Sequence, residues 1–177
     1  MASVYAPNTL EEDEERRTIA AIVDNEPGVL ARVVGLFSSR GYNIESLTVA
    51  ETDTEKHRSR ITIVTSGTPN ILDQIKAQLL RLVPVQKVVD ITLEPAGLER
   101  ELALIKVQGT GEKRVEALRL SDAFRANVLD TTHTSFIFEV TGAKDKIDAF
   151  IELMKPLGLV EVSRTGLLSI RRGPEPA

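Results

Sequence analysis

The sequence contains no cysteine and no tryptophan, and it has two histidines among 177 residues. Without cysteine, disulfide scaffolds, thiolate catalysis and cysteine-ligated metal sites are excluded. Aromatic residues make up 4% of the chain, so the core must rest on valine, isoleucine and leucine. This composition favours packed helices and sheets over a surface built for stacking bases.

Clustered positive charge and long apolar runs are also missing. The formal net charge is −4, whereas a nucleic-acid surface needs a local excess of lysine and arginine. No segment reaches the roughly 18 apolar residues needed to span a bilayer, and residues 1–17 lack the apolar run of a signal peptide. We therefore expect a cytoplasmic protein with neither a nucleic-acid partner nor a membrane partner.

The N-terminus is polar and ends in the charged run Glu11-Glu12-Asp13-Glu14-Glu15-Arg16-Arg17. Such a block is typical of a solvated tail, and we predict that residues 1–17 are disordered. Its role is left open by the sequence.

Residues 18–94 alternate between strand and helix patterns. Strands are predicted at 18–23, 42–52, 58–66 and 85–93, with a hydrophilic hairpin connection at 53–57. One helix begins after Pro27, carries apolar residues at i, i+3, i+4 and i+7 from Leu30 to Phe37, and ends at Gly41. A second helix begins at Pro69. The order is βαββαβ.

The same order recurs in residues 95–177, after a linker at 94–98. Strands are predicted at 102–107, 128–132, 135–140 and 159–170, with helices at 111–126 and 144–155. We therefore predict an α+β protein of two tandem ferredoxin-like βαββαβ domains. Helices cover only one face of each sheet, so the other face and the edges call for a partner, and oligomerisation is expected.

No catalytic or metal site is predicted. His57 and His133 both fall in predicted turns and have no second ligand at metal-binding spacing. The Gly109-Thr110-Gly111 run lacks the remainder of a phosphate-binding signature. Two pairs of carboxylates are better explained as surface charges than as an acid/base couple. Asp53 and Glu55 fall in a predicted turn, and Asp145 and Asp148 fall on a predicted helix surface.

Two segments have the chemistry of a ligand site. The first is the turn Asp24-Asn25-Glu26-Pro27-Gly28-Val29-Leu30, where a helix N-terminus could hold a carboxylate beside the Asn25 amide. The alternative is that Asn25 only caps the helix and Gly28 only permits the turn. The second segment is Gly41 to Val49, where Asn43 could donate to a carboxylate and Ile44 could form an aliphatic wall. Its alternative is an ordinary strand start.

The sequence resembles the regulatory small subunit of acetolactate synthase, also called acetohydroxyacid synthase. The turn and the βαββαβ order resemble an ACT domain in general. The closer resemblance is carried by Gly35-Leu36-Phe37-Ser38 and by Arg40-Gly41-Tyr42-Asn43-Ile44-Glu45-Ser46-Leu47-Thr48-Val49. Weaker similarity continues after these runs to Phe150, so that most of the chain after Thr18 is covered.

This resemblance implies an ACT domain at 18–94, a C-terminal ferredoxin-like domain at 95–177, and a homodimer formed through the ACT sheets. It implies a partner, the catalytic large subunit, which would carry thiamine diphosphate, Mg²⁺ and FAD, while this chain would hold no cofactor. The small subunit would raise the activity of that enzyme and make it sensitive to valine, with leucine and isoleucine as further candidates, in branched-chain amino acid biosynthesis.

By the same resemblance, one protomer would bind valine through Asn25, Gly28, Val29 and Leu30, and its partner would complete the pocket with Asn43 and Ile44. At position 27, where relatives often have a small polar residue, this chain has a proline, and the proline stiffens the turn. The main alternative is a free-standing ACT-type sensor that regulates another enzyme or a transcription factor. An independent ferredoxin-like enzyme and a metal-responsive regulator lack the residues they would need.

Overall fold

The computed structural model describes residues 13–93 and 97–174, and it contains two βαββαβ units followed by one further strand. The first unit consists of β1 (Glu15–Asp24), α1 (Val29–Arg40), β2 (Ser46–Asp53), β3 (Arg58–Gly67), α2 (Pro69–Leu79) and β4 (Val85–Asp90). The second consists of β5 (Leu98–Gln108), α3 (Glu112–Ala123), β6 (Asn127–Thr131), β7 (Ser135–Gly142), α4 (Lys144–Gly158) and β8 (Leu159–Arg164), followed by β9 (Leu168–Ile170). The predicted α+β architecture of two ferredoxin-like units is confirmed.

The first sheet is antiparallel, with the strand order β2-β3-β1-β4. Alternate residues of β1 and β3 point toward α1 and α2, as the period of two along a strand requires. They form an aliphatic core with the buried residues of both helices: Ile19, Ala21, Val23, Val29, Val33, Phe37, Ile61, Ile63, Leu72, Ile75, Leu79 and Val85. Strands β2 and β4 are the outer strands, and no strand of the described residues pairs with the free edge of β2.

Helix α1 has the boundaries that the sequence predicts. Gly28 (φ 84°) precedes its first turn and Gly41 (φ 68°) follows its last, both in the left-handed region. The buried residues Val29, Val33 and Phe37 follow one another at intervals of four, which places one apolar stripe against the sheet.

Strand β1 begins three residues earlier than predicted. Glu15, Arg16 and Arg17 pair with the end of β3, although we expected them in the tail. Arg16 binds Glu45 at 3.0 Å and Arg17 binds Asp90 at 2.9 Å. These partners lie far away in sequence, so the charge run gave no sign of the strand. Residues 1–12 of the predicted tail lie outside the described residues.

The second sheet has the order β6-β7-β5-β8, with α3 and α4 on one face. Its core contains more aromatic residues than the core of the first unit. The ring of Phe138 contacts those of Phe136 and Phe150, and Phe124 packs on Phe150. Pro156 lies inside α4, so this helix continues past Lys155, where we predicted its end.

The last predicted strand, 159–170, is interrupted. Strand β8 ends at Arg164, Gly166 adopts φ 80°, and β9 pairs with the start of β5 at Leu98–Arg100 instead of continuing along the sheet. Residues 165–170, here called the crossing segment, contact the face of the first sheet that its helices leave open.

That face is consequently buried within the chain. Thr18, Ala20, Thr62 and Val64 are each at most 3% exposed, and all four lie on the side of the sheet away from α1 and α2. The expectation that a separate partner must cover this face is therefore wrong for this part of the first sheet, because strand pairing between β5 and β9 brings in a distant piece of the same chain.

Candidate functional site

The turn before α1 leaves the start of the helix open. Gly28 is the N-cap residue, no side chain in the described part of the chain caps the first turn, and that turn contains no acidic residue. A Cβ atom built on Gly28 would meet no atom within 4 Å. The interpretation that Asn25 caps the helix is therefore not supported, and the uncapped N-terminus of a 12-residue helix can hold an anion.

Backbone contacts fix this turn while the Asn25 side chain stays exposed. The Asn25 N–H donates to the carbonyl of His57 at 2.6 Å, and the Asp24 N–H donates to the carbonyl of Pro84 at 2.8 Å. An ion pair of 3.0 Å joins Glu26 to Arg32 on α1. Among the described residues, the Asn25 amide has no hydrogen-bond partner, so its donor and acceptor face solvent.

The predicted residues of this turn contribute in different ways. The Val29 side chain is buried in the core (6% exposed), and its N–H donates to the carbonyl of Glu26 at 3.3 Å. Leu30 is 39% exposed. Of these two residues, only Leu30 therefore presents its side chain to a ligand or a partner.

Asn43 and Ile44 precede β2. The carbonyl of Asn43 accepts a hydrogen bond of 2.6 Å from Thr65 Oγ1, which fixes the backbone. The Asn43 amide is exposed and unpaired within the described part of the chain. Ile44 is half-buried and packs on the first core.

A single protomer does not bring the two halves of the predicted pocket together. Asn25 follows β1 at the end of the sheet where Asp24 and Asp53 both pair with Arg58, whereas Asn43 precedes Ser46, which pairs with Val64 near the other end. The eight residues of β2 span about 25 Å. A pocket that uses both asparagines therefore requires two copies of the chain.

Edge strand β2 and helix α1 both carry exposed apolar side chains. Val49 lies on the helix-facing side of β2 and is 44% exposed, and Leu30 and Val34, one turn apart on α1, are 39% and 38% exposed. An antiparallel pairing of two β2 strands would set the start of one β2 beside the end of the other. It would thereby bring Asn43 of one copy toward the Asn25 end of the second.

A cleft of about 400 Å³ lies between the two units. Its charged residues are paired: Arg164 contacts Glu101 at 2.6 Å and Asp148 at 2.7 Å, and Lys144 contacts Asp148 at 2.6 Å. The hydrogen bond from Lys144, followed by that from Arg164, lowers the pKa of Asp148. The pair Lys144–Asp148 has the i,i+4 spacing of one helix, but periodicity gives no signal for the rest of the network, because Glu101, Asp148 and Arg164 lie on three different elements.

In the described residues, 13–93 and 97–174, no group of three or more histidine, aspartate or glutamate residues could hold a metal ion. The helices in these ranges are all too short or too polar to cross a membrane. His57 lies in the β2–β3 hairpin turn with φ 48°, in agreement with its predicted position.

Comparison with known proteins identifies the family. The profile of the "AHAS small subunit-like ACT domain" matches residues 19–87, and that of the "small subunit of acetolactate synthase" matches residues 100–173. A probable acetolactate synthase small subunit of Archaeoglobus fulgidus is 48% identical over 158 residues, which cover 89% of this chain and 98% of that protein. The chain belongs to the acetolactate synthase small-subunit family.

Further relatives agree with this assignment. The acetolactate synthase small subunit of Haemophilus influenzae is 46% identical over 159 residues, which cover 89% of this chain and 96% of that protein. The crystal structure of the small subunit from Thermotoga maritima superposes with a TM-score of 0.83 at 37% identity, and the alignment covers 91% of this chain and 99% of that one. The predicted resemblance and the ACT fold of the first unit are thus confirmed.

Proposed function

We propose that this chain is the regulatory subunit of acetolactate synthase, which raises the activity of a separate catalytic subunit and makes that subunit sensitive to valine. Membership in the small-subunit family supports the partnership. The observation that carries the effector site is the open N-terminus of α1 at Gly28, with the unpaired amide of Asn25 beside it.

Valine would bind between two ACT domains. Its carboxylate would lie at the first turn of α1 against the Gly28 backbone, where the helix dipole favours a negative charge. The partner's Asn43 would donate to the ligand, and the partner's Ile44, with Leu30, would contact the isopropyl group. The opposite positions of Asn25 and Asn43 along the sheet support a site shared by two protomers.

Dimerisation would follow the edge of β2. Within the described residues, β2 has an unpaired edge and carries the exposed Val49, and a second copy can cover such a strand. The exposed Leu30 and Val34 on α1 offer further apolar surface. A ligand held between the two copies shifts their arrangement by its difference in affinity for the two states. The catalytic subunit would respond to that shift.

Catalysis would belong to the partner. The large subunit would hold thiamine diphosphate, Mg²⁺ and FAD and would condense two 2-oxo acids, while this chain would contribute no reacting group. Both subunits would work in the cytoplasm, in valine, leucine and isoleucine biosynthesis.

The deciding experiment is an assay of acetolactate formation by the cognate catalytic subunit, with and without this chain, during titration with valine, leucine and isoleucine. We expect stimulation on mixing and inhibition by at least one of the three, valine foremost. No stimulation and no inhibition would overturn the proposal and leave a free-standing ACT-type sensor of another enzyme or transcription factor.

A further inference from the structure

The crossing segment is held on the first sheet by polar side chains of β2 and β3. The Leu167 N–H donates to Ser46 Oγ at 3.0 Å, and the Leu167 carbonyl accepts from Thr48 Oγ1 at 3.2 Å. Arg60 Nη2 donates to the carbonyl of Ser169 at 2.8 Å. The Leu167 side chain is 3% exposed, so the segment is both hydrogen-bonded and packed at this point.

Close approach at the crossing requires glycine. Gly166 has φ 80°, and a Cβ atom built on it would lie 2.6 Å from Ser46 Oγ and 3.1 Å from Thr48 Cγ2. Any larger residue would have to move either the crossing segment or the side chains of β2. The contact is thus made through the strand that begins next to the proposed valine pocket.

The proposed valine pocket and the residues that hold the crossing segment are close together along the chain. Asn43 and Ile44 come directly before Glu45, and Ser46 is the first residue of β2. Asn43 is fixed to β3 by Thr65. A ligand that binds Asn43 or Ile44 therefore acts on the start of the same strand whose Ser46 and Thr48 hold Leu167.

Some buried polar atoms of the residues that join the first sheet to the crossing segment lack a hydrogen-bond partner within the described residues. Among the described residues, the buried atoms Arg60 Nε and Ser169 Oγ, which belong to residues of this contact, have no hydrogen-bond partner. Arg60 has no carboxylate partner in these residues, and burial lowers its pKa. Unpaired buried polar groups weaken the packed arrangement relative to an open one.

We propose that the crossing segment couples the ACT domain to the C-terminal domain, so that valine bound at the start of β2 changes how Leu167 is held and thereby repositions the C-terminal sheet. The segment continues from β8 and pairs with β5, so its movement is passed directly to two strands of that sheet. This inference rests on the proposed function, and it assigns to Gly166, Ser46 and Thr48 a role in communication and not in valine binding.

The test uses the full complex with the catalytic subunit and a pair of glycine variants. Gly166→Ala places a methyl group against Ser46 and Thr48. Gly173→Ala is the matched control, because Gly173 also has a positive φ (92°) but a Cβ there meets nothing within 4 Å. We expect Gly166→Ala to activate the catalytic subunit and to bind valine in calorimetry, but to need at least about tenfold more valine for half-inhibition, within the usual range of allosteric coupling. Gly173→Ala should behave as wild type.

A second pair of variants removes only the hydrogen bonds. Ser46→Ala combined with Thr48→Val should reproduce the effect of Gly166→Ala, while Thr52→Val, at an exposed position of the same strand, should not. In hydrogen exchange, valine should change the protection of the Leu167 amide in the wild type and in Gly173→Ala, but not in Gly166→Ala.

The outcomes separate the two proposals. Wild-type valine inhibition in both Gly166→Ala and the double variant would overturn the coupling role while leaving the regulatory function intact. A wild-type chain that neither stimulates the enzyme nor responds to valine would overturn the proposed function and this inference together.

Discussion

The backbone N–H of Asn25 donates a hydrogen bond of 2.6 Å to the carbonyl of His57 and so ties the turn before α1 to the β2–β3 hairpin. The turn is fixed by main-chain atoms, which leaves the Asn25 amide and the Gly28 backbone exposed. Substitutions of side chains at this turn should therefore alter ligand binding more than they alter the fold.

Gly28→Asp is expected to abolish valine inhibition while leaving activation of the catalytic subunit intact. The new carboxylate would occupy the start of α1, where the carboxylate of the ligand is proposed to bind. Gly28→Ala is the control, since it adds a Cβ at the same positive φ without charge, and it should reduce valine sensitivity less. Unchanged half-inhibition by valine in Gly28→Asp would contradict the proposed site.

Val49→Glu is expected to weaken the dimer. It places a charge on the open edge strand, and paired copies would bring two such charges close together. We expect the dimer dissociation constant to rise at least about tenfold, or about 1.4 kcal/mol, in sedimentation equilibrium. Val83→Glu, at a position that is 90% exposed outside the strands, should leave it unchanged. If Val49→Glu dimerises as the wild type does, the interface lies elsewhere.

Arg164→Ala is expected to destabilise the second unit. It removes the partner of Glu101, whose side chain is 6% exposed, and leaves a buried carboxylate uncompensated, at a cost of about 3 kcal/mol. The control is Arg119→Ala, which breaks an exposed i,i+3 pair with Glu116 and should cost far less, because exposed pairs contribute little to stability. Urea unfolding at pH 7 measures both, and equal losses would show that Glu101 does not depend on Arg164.

Glu45 should make stability depend on pH. The hydrogen bond from Ser66, and then the contact with Arg16, lower its pKa in the folded chain. A carboxyl group with a lowered folded pKa stabilises the fold above its unfolded pKa of about 4.3 and loses that contribution as the pH falls through the folded value. Glu45→Gln should therefore lower the free energy of unfolding at pH 7, by less than about 1 kcal/mol for a partly exposed pair.

The difference between Glu45→Gln and wild type should shrink as the pH falls below about 4.3. Denaturant unfolding at pH 7 and near pH 3 measures this change. Glu51→Gln, at an exposed position of the same strand, is the control variant. A difference for Glu45→Gln that stays constant with pH would contradict the assignment.

The helices of the first unit were predictable because their signals are local. The apolar stripe of α1, the glycines at both of its ends and the proline that begins α2 each act within one or two turns of helix. The start of β1 was missed because Arg16 and Arg17 are held by Glu45 and Asp90. These partners lie 29 residues from Arg16 and 73 residues from Arg17, so no local sequence pattern predicts them.

The residues of the candidate site can be named from the sequence and stay a prediction, whereas their arrangement in the sheet cannot be read from it. Asn25, Gly28, Asn43 and Ile44 stand out by residue type and by resemblance, yet the sequence does not place the two asparagines at opposite ends of one sheet. That separation depends on the strand order β2-β3-β1-β4. The order results from hydrogen bonding between strands that are distant in sequence.

The sequence by itself determined the two βαββαβ units, the aliphatic first core and the family, because periodicity, turn residues and long runs of shared sequence are all local. Only the tertiary structure decided that the strand after Arg164 breaks at Gly166, that β9 pairs with β5, and that Leu167 lies on the first sheet. The reason is physical: the β5–β9 pairs join residues about 70 positions apart, and the contacts of Leu167 and Ser169 with the first sheet join residues more than 100 positions apart. The energy of these contacts depends on surfaces that exist only after both units have folded.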